Sequence, residues 1–425
     1  MGVVHIVGGG MAGLSAAVEL AGTASVVVYE AGIACGGRAR SYFDRKLGCR
    51  IDNGNHLLLS ANEGVFRYLG LIGAEKTLTG PGSPIFPYFD LEADLAWTLR
   101  LSRGRVPFWA LPGGARVPGM RLSELGALFA LLQAGDDAVV ADCLRPGQLA
   151  RRLLEPFAVS VLNTTCAEGS ARLLGNVVRR SLMQGGMACR PWFPAIGLSE
   201  SLVDPALAHL SLMRADVRTR TRVSGLEVEH GSVQALLLGD ERVAIGPEDR
   251  VILAVPPGVA ESLLASHWAD FTVPDAFESI LNVHYRLPAP VDVRGVLAQT
   301  RLVGLVGGIA EWVFVKGDVL SVTVSAANRY LDRDMDTLGH SIWGEVRRAV
   351  GPTVAGGLPE TAPAMRVVVE KRATFAATPA QERRRPALRT PFGNLVLAGD
   401  WTATGLPATL EGAIGSGVEA ARAIL

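Results

Sequence analysis

The sequence predicts an α/β fold in which a parallel sheet is interrupted by a second domain of mixed α+β character. Three observations lead there. The chain opens on an apolar run, Val3-Val4-His5-Ile6-Val7, then glycines, then a small-residue helix pattern over Leu14–Leu20, then a second apolar run, Ser25–Tyr29. Strand, glycine turn, helix, strand is a βαβ unit, which requires a parallel pair. At the far end, Asn394–Ala398 reads as a buried strand closing on Gly399-Asp400. Finally, 425 residues exceed what one core accommodates, so two domains are expected.

Between these ends the elements follow in order. From about residue 75 to 200 lie Pro-Gly turns and helical patterns such as Leu122–Gln133 and Leu149–Leu162. Val223–Glu229 and Val233–Leu238, separated by His230-Gly231-Ser232, read as a hairpin returning to the parallel sheet, and Arg250–Val255 before Pro256-Pro257 as another of its strands. Further strand patterns cover Leu281–Leu287, Glu311–Val315 and Leu320–Ser325, a helix covers Gly339–Val350, and a last helix runs from Thr409 to Ile424. The expected division is 1–75, 201–265 and 366–425 for the first domain and 76–200 with 266–365 for the second.

Composition narrows the classes of partner. Forty-one basic and forty-one acidic residues cancel, which removes long-range attraction to nucleic acid. Five scattered cysteines, Cys35, Cys49, Cys143, Cys166 and Cys189, form no CxxC pair, so reduced thiols in a cytoplasm are expected and a metal site is not. No secretory leader is expected at the N-terminus. No apolar stretch approaches the ~20 residues of a membrane span.

Chemistry enters at Gly8-Gly9-Gly10-Met11-Ala12-Gly13, a GxGxxG pattern placed between strand and helix. Gly8 permits the tight turn, Gly10 lets backbone approach a pyrophosphate, and Gly13 lets helix pack on strand, so that the helix N-terminus at Met11 and Ala12 faces phosphate charge. Glu30 ends the second strand, about twenty residues on, where a carboxylate accepts hydrogen bonds from an adenosine ribose. This is the Rossmann arrangement. Gly36-Gly37-Arg38 then allows a second close backbone approach, with a guanidinium to neutralise phosphate.

With this second turn the sequence resembles the amine oxidase and carotenoid desaturase superfamily, and the resemblance implies FAD as cofactor. Leu397-Ala398-Gly399-Asp400 and Ala408–Gly417 resemble its closing flavin motif. The resemblance implies that Gly399 and Asp400 face the ribityl chain, that the helix starting at Leu410 and including Ala413 points its N-terminus at the flavin, and that Val223 brackets adenine from a strand. A helix N-terminus there suits the negative charge of a reduced flavin. No cysteine stands in the closing motif, so FAD is expected to be non-covalent. Within the superfamily, Asp52-Asn53-Gly54-Asn55-His56-Leu57-Leu58-Leu59 and Leu162-Asn163-Thr164-Thr165 resemble motifs of the squalene-associated desaturases, a family now regarded as hydroxysqualene dehydroxylases. Asn55 stands where that family's pattern has glutamine, and Cys166 where it has proline.

The resemblance implies reductive loss of an allylic hydroxyl, with Gly54 and Asn55 at the flavin. That chemistry needs a proton donor, for which His56 is the candidate, with Asp52 as its orienting partner, because imidazole donates near neutral pH; the alternative for His56 is a backbone hydrogen bond in a flavin-side loop. An apolar isoprenoid substrate implies a long apolar tunnel, for which Trp97, Phe108, Trp109, Phe129, Phe157, Trp192 and Phe193 are candidates. With a single GxGxxG, a dedicated NAD(P)H domain is not expected, which leaves direct reduction by NAD(P)H at the flavin face or another external reductant. Peripheral contact with the inner face of a membrane, and hand-over from an upstream squalene-pathway enzyme, follow from the insolubility of the substrate. A polyene desaturase, an amine oxidase and a flavin-binding lipid carrier without turnover are the competing readings.

Overall fold

The computed structural model describes residues 2–111 and 116–425. In chain order, the strands of its two large sheets are β1 (Val3–Val7), β2 (Ser25–Tyr29), β3 (Ile85–Asp90), β4 (Leu95–Arg100), β5 (Asp216–Arg218), β6 (Arg250–Leu253), β7 (Phe277–Arg286), β8 (Leu302–Val306), β9 (Trp312–Lys316), β10 (Val319–Val324), β11 (Ala364–Phe375) and β12 (Leu395–Leu397). Four helices matter for the site: α1 (Met11–Leu20), α2 (Glu155–Leu162), α3 (Met335–Val350) and α4 (Leu410–Ile424).

The first sheet is parallel, in the order β5-β2-β1-β6-β12. Its inner strands are apolar without alternation because both faces are covered. The first and last helices pack on each other against one face. A Cβ on Gly417 would stand 2.1 Å from the Ala12 carbonyl oxygen, so α4 touches α1 at backbone distance, and the Ser15 hydroxyl donates to the Ile414 carbonyl at 2.9 Å. The two ends of the chain are thereby one structural unit.

The second sheet runs β11-β7-β10-β9-β8-β3-β4 and is antiparallel except between β8 and β3. Alternation sorts its faces. Leu281, Val283, Tyr285, Val313, Val322 and Val324 share a core with Leu338, Ile342 and Trp343 of α3. The opposite face carries Asn282, His284, Ser321 and Thr323 at one end and Tyr88, Trp97, Trp312 and Phe314 at the other. That second face looks toward the 52–59 segment and the helical layer between residues 108 and 203.

Two expectations need correction. The hairpin at 225–238 does not join the parallel sheet: Gly225–Glu229, Ser232–Leu238 and Glu241–Ala244 form their own antiparallel meander, and the return to the parallel sheet is made by β6. The expected return to the first domain at residue 366 falls inside β11, which pairs with β7 as far as Phe375. A strand this long is bound by its ladder to the sheet it started in.

Candidate active site

The glycine turn is built as a cradle. Gly8 has φ +109°, and a Cβ there would lie 2.3 Å from the Ala254 carbonyl oxygen; on Gly13 it would lie 1.9 Å from that of Gly8. Those two glycines serve the protein's own packing. Gly10 does not, because a Cβ there would meet nothing within 4 Å. The side left clear at Gly10 lies at the start of α1, where the first amides, those of Met11 and Ala12, have no intrahelical acceptor. Glu30 braces the turn, accepting from the Gly9 amide at 2.8 Å and the Gly32 amide at 2.6 Å. The second glycine turn lies directly on the first: the Gly36 amide donates to the Gly9 carbonyl at 2.8 Å, and both Gly36 and Gly37 have positive φ. Val223 is not on a strand but in the irregular segment before the meander. Among the described residues its backbone N–H and C=O have no protein partner, which suits an adenine edge.

The closing motif meets these turns. Two residues beyond β12, the Gly399 amide donates to the Ser416 hydroxyl of α4 at 2.8 Å. Asp400, buried, accepts from Arg38 Nη2 through both oxygens at 2.6 and 2.7 Å, and Arg38 Nη1 donates to the Ala373 carbonyl at 2.5 Å. Arg38 is therefore a tie between the second glycine turn, β11 and β12 as well as a positive charge. Burial alone would lower its pKa; the Asp400 carboxylate outweighs this and raises it. Thr409 caps α4 by accepting from the Gly412 amide. Leu410 stands in the free first turn, whereas the Ala413 amide is used by the Thr409 carbonyl, so Ala413 offers a small side chain and no donor.

The 52–56 segment runs between the two sheets. Asp52 accepts from the Ser41 hydroxyl at 2.6 Å, the Leu198 amide at 2.9 Å and Lys316 Nζ at 2.8 Å. Burial alone would raise its carboxyl, but Lys316 and Ser41 hold it below its ordinary value. No hydrogen bond joins Asp52 to His56, so the expected orienting pair is replaced by a buried Asp52–Lys316 ion pair. Burial lowers His56 to about 4; Asp52 pulls it up, while Lys316 and Arg38 push it further down. Asn55 donates to the hydroxyls of Ser321 at 2.7 Å and Thr323 at 3.0 Å, leaving its Oδ1 buried without a partner. Ser321 in turn meets His284 Nδ1 at 2.9 Å. Thr323 donates to Asn282, and Gly54 lies against the Asn282 amide.

The residues around this network were not singled out from the sequence. A signal was present: Asn282 and His284, like Ser321 and Thr323, are polar at alternate positions in otherwise apolar strands, which marks a polar inner face. Burial also pushes the Glu311 carboxyl up to about 7, against the pull of Ser325 and Arg329. The tunnel candidates divide. Trp97 packs with Tyr88 and Trp312 on the sheet face, Trp109 joins that cluster from the facing helical layer, and Phe193 packs on Phe314. Phe157 and Trp192 belong to the cores around the first sheet. Phe108 and Phe129 are 64% and 63% exposed, which does not suit the wall of a buried tunnel.

An open glycine cradle on a helix N-terminus, an unpartnered backbone edge at Val223 and an orphaned buried oxygen on Asn55 together fit a dinucleotide flavin. These define the class, and the chain belongs to the flavin containing amine oxidoreductase family, whose profile matches residues 11–425; it is an FAD-dependent oxidoreductase. Within that class it is 43% identical to the hydroxysqualene dehydroxylase of Sinorhizobium fredii, over 98% of this chain and 97% of that one. It is 41% identical to the hydroxysqualene dehydroxylase of Zymomonas mobilis, over 99% and 98%. Among solved structures, cyclohexylamine oxidase from Brevibacterium oxydans superposes with a TM-score of 0.67 at 18% identity, covering 99% of this chain and 98% of that one, a likeness of fold.

Proposed function

We propose that the protein reductively removes the allylic hydroxyl of hydroxysqualene to give squalene. The full-length similarity to hydroxysqualene dehydroxylases carries the reading. The apolar, aromatic half of the inner sheet face, set beside the polar network, supports it. FAD, bound non-covalently, supplies the hydride, and when reduced it carries negative charge. The substrate's C–O bond breaks as a proton reaches its oxygen, water leaves, and the allylic carbon gains hydride. Bound FAD would draw its electrons from NAD(P)H or from another external donor.

His56 is the proton donor in this proposal. At rest its imidazole is neutral at neutral pH. Nearby negative charge favours imidazolium, so His56 takes up its proton as the cofactor is reduced. Glu311, whose carboxyl is pushed up to about 7 by burial, is the second candidate proton source. The enzyme works in the cytoplasm at the inner face of the membrane, taking substrate from the bilayer or from an upstream enzyme.

The test is anaerobic mixing of chemically reduced protein with hydroxysqualene, following flavin spectrum and lipid product together. Reoxidation matched by squalene formation is expected. A flavin that stays reduced with the alcohol untouched, while a polyene bleaches the oxidised protein, would move the assignment to a desaturase. His56→Ala should keep FAD and lose turnover. Normal turnover there, with loss in Glu311→Gln, gives the proton to Glu311.

A further inference from the structure

We propose that the surface formed by Ser102–Leu111 and Arg121–Phe129 docks on an anionic lipid bilayer, an inference that rests on the isoprenoid reading of the substrate. Large apolar side chains are exposed there in succession: Val106 at 57%, Phe108 at 64%, Leu111 at 45%, Leu122 at 46% and Phe129 at 63%. Scattered exposed leucines need no explanation, but aromatic and aliphatic side chains concentrated on two adjoining segments do. The same segments turn Trp109, Ala110, Leu125 and Ala127 inward, into the cluster that contains Tyr88, Trp97 and Trp312. The outer surface is therefore the far side of a layer whose inner side packs on the aromatic sheet face.

Charge identifies the occupant. From Leu95 to Ser123 the sequence has Arg100, Arg103, Arg105, Arg116 and Arg121 and no acidic residue. The next acid, Glu124, is buried and spent on the Arg121 and Leu149 amides. Among the described residues none of these five arginines has an ion-pair partner, whereas Arg151, Arg152 and Arg172 nearby all do. The base is fixed, since the Gly186 amide donates to the Ser102 carbonyl and the Met187 amide to that of Arg103. A second copy docking by two-fold symmetry would face arginine against arginine. A phosphate-bearing surface with an apolar interior accepts both components: aromatic side chains settle at the headgroup level while arginine stems reach back to phosphate. The chain as a whole has no net charge, so this local patch must supply the attraction.

The experiment is co-sedimentation of the FAD-loaded full chain with vesicles of phosphatidylglycerol and, separately, of phosphatidylcholine. Wild type should partition onto phosphatidylglycerol, less so as salt is raised. The triple variant Arg103→Gln/Arg105→Gln/Arg121→Gln should lose about a hundred-fold in that partition, roughly five-fold per arginine. Phe108→Ser/Leu111→Ser should weaken binding to both lipids. All variants should keep the wild-type flavin spectrum and their turnover on detergent-dispersed hydroxysqualene. Wild type that fails to sediment, or variants that bind as well as wild type, overturn the proposal. So does a wild-type dimer that ignores vesicles and that Phe108→Ser/Leu111→Ser dissociates, since a second copy then covers the face. Vesicle binding without turnover in detergent leaves the docking face standing and rejects the substrate assignment instead.

Discussion

His284 is 2% exposed and held at about 4, first by burial and then by Lys316. An unfolded histidine titrates near 6.5. Its folded pKa is depressed, so between about 6.5 and 4 the unfolded chain binds the extra proton, and stability falls as pH falls through that window. At pH 5 the loss attributable to this one group is about 2 kcal/mol. Thermal unfolding of the flavin-free protein between pH 7 and pH 5 should show it, and His284→Gln should flatten the profile by about that amount. An unchanged slope would mean that the imidazole is solvated in the folded protein. The glycines at 8, 10, 13, 36 and 37 were legible in the sequence because each is a backbone requirement within one short turn. The His284–Ser321–Asn55 chain was not, because its members come from segments 37 and 266 residues apart. Only a strand register brings those together.

Asn163 shows what an element can hide. It ends α2 in the left-handed conformation, φ +50°, which asparagine tolerates better than other non-glycine residues. Its Oδ1 accepts from the Ala326 amide at 2.7 Å just beyond β10, and its Nδ2 donates to Thr374 Oγ1 at 2.9 Å on β11. Its neighbour Thr164 accepts from the Ala377 amide at 2.9 Å. These two residues therefore stitch α2 to the end of β11, the strand whose Ala373 carbonyl holds Arg38. Asn163→Ala should cost about 2–4 kcal/mol, from an orphaned buried amide and a strained cap together, and should weaken FAD binding through the slackened strand. Fluorescence titration of flavin with unfolding by denaturant reads both. Asn163→Gly should restore part of the stability, since it relieves the cap alone. The motif was recognised from the sequence, but its work was not, since nothing local says that a helix end will meet two strands more than 160 residues away.

At the scale of the molecule, the proposed flavin site draws on the first sixty residues, the segment around Val223 and the last fifty, and those pieces are joined at their far ends by α1 against α4 and by Arg38 against Asp400. Order along the chain was readable because each piece carries its own glycine or Gly-Asp signature; the point where β11 leaves the second sheet was not, because a ladder and not a local pattern decides it. A ligand that bridges all three pieces binds only the folded chain, so FAD at a hundred times its dissociation constant should add about 2.7 kcal/mol. The unfolding entropy of so long a chain is large, and that free energy raises the melting temperature by only about 3 °C. Arg38→Ala removes a tie and leaves the Asp400 carboxylate unpaired, at a cost of about 1–3 kcal/mol, the lower part being expected because Arg38 is half exposed. The variant should therefore melt lower without flavin and also gain less from a fixed concentration of FAD, because its affinity is weaker. Differential scanning with and without FAD separates the two effects. If the variant lost flavin-free stability yet gained as much from FAD as wild type, Arg38 would be a brace for the chain alone, and the charge opposite the cofactor would have to come from the amides at the start of α1.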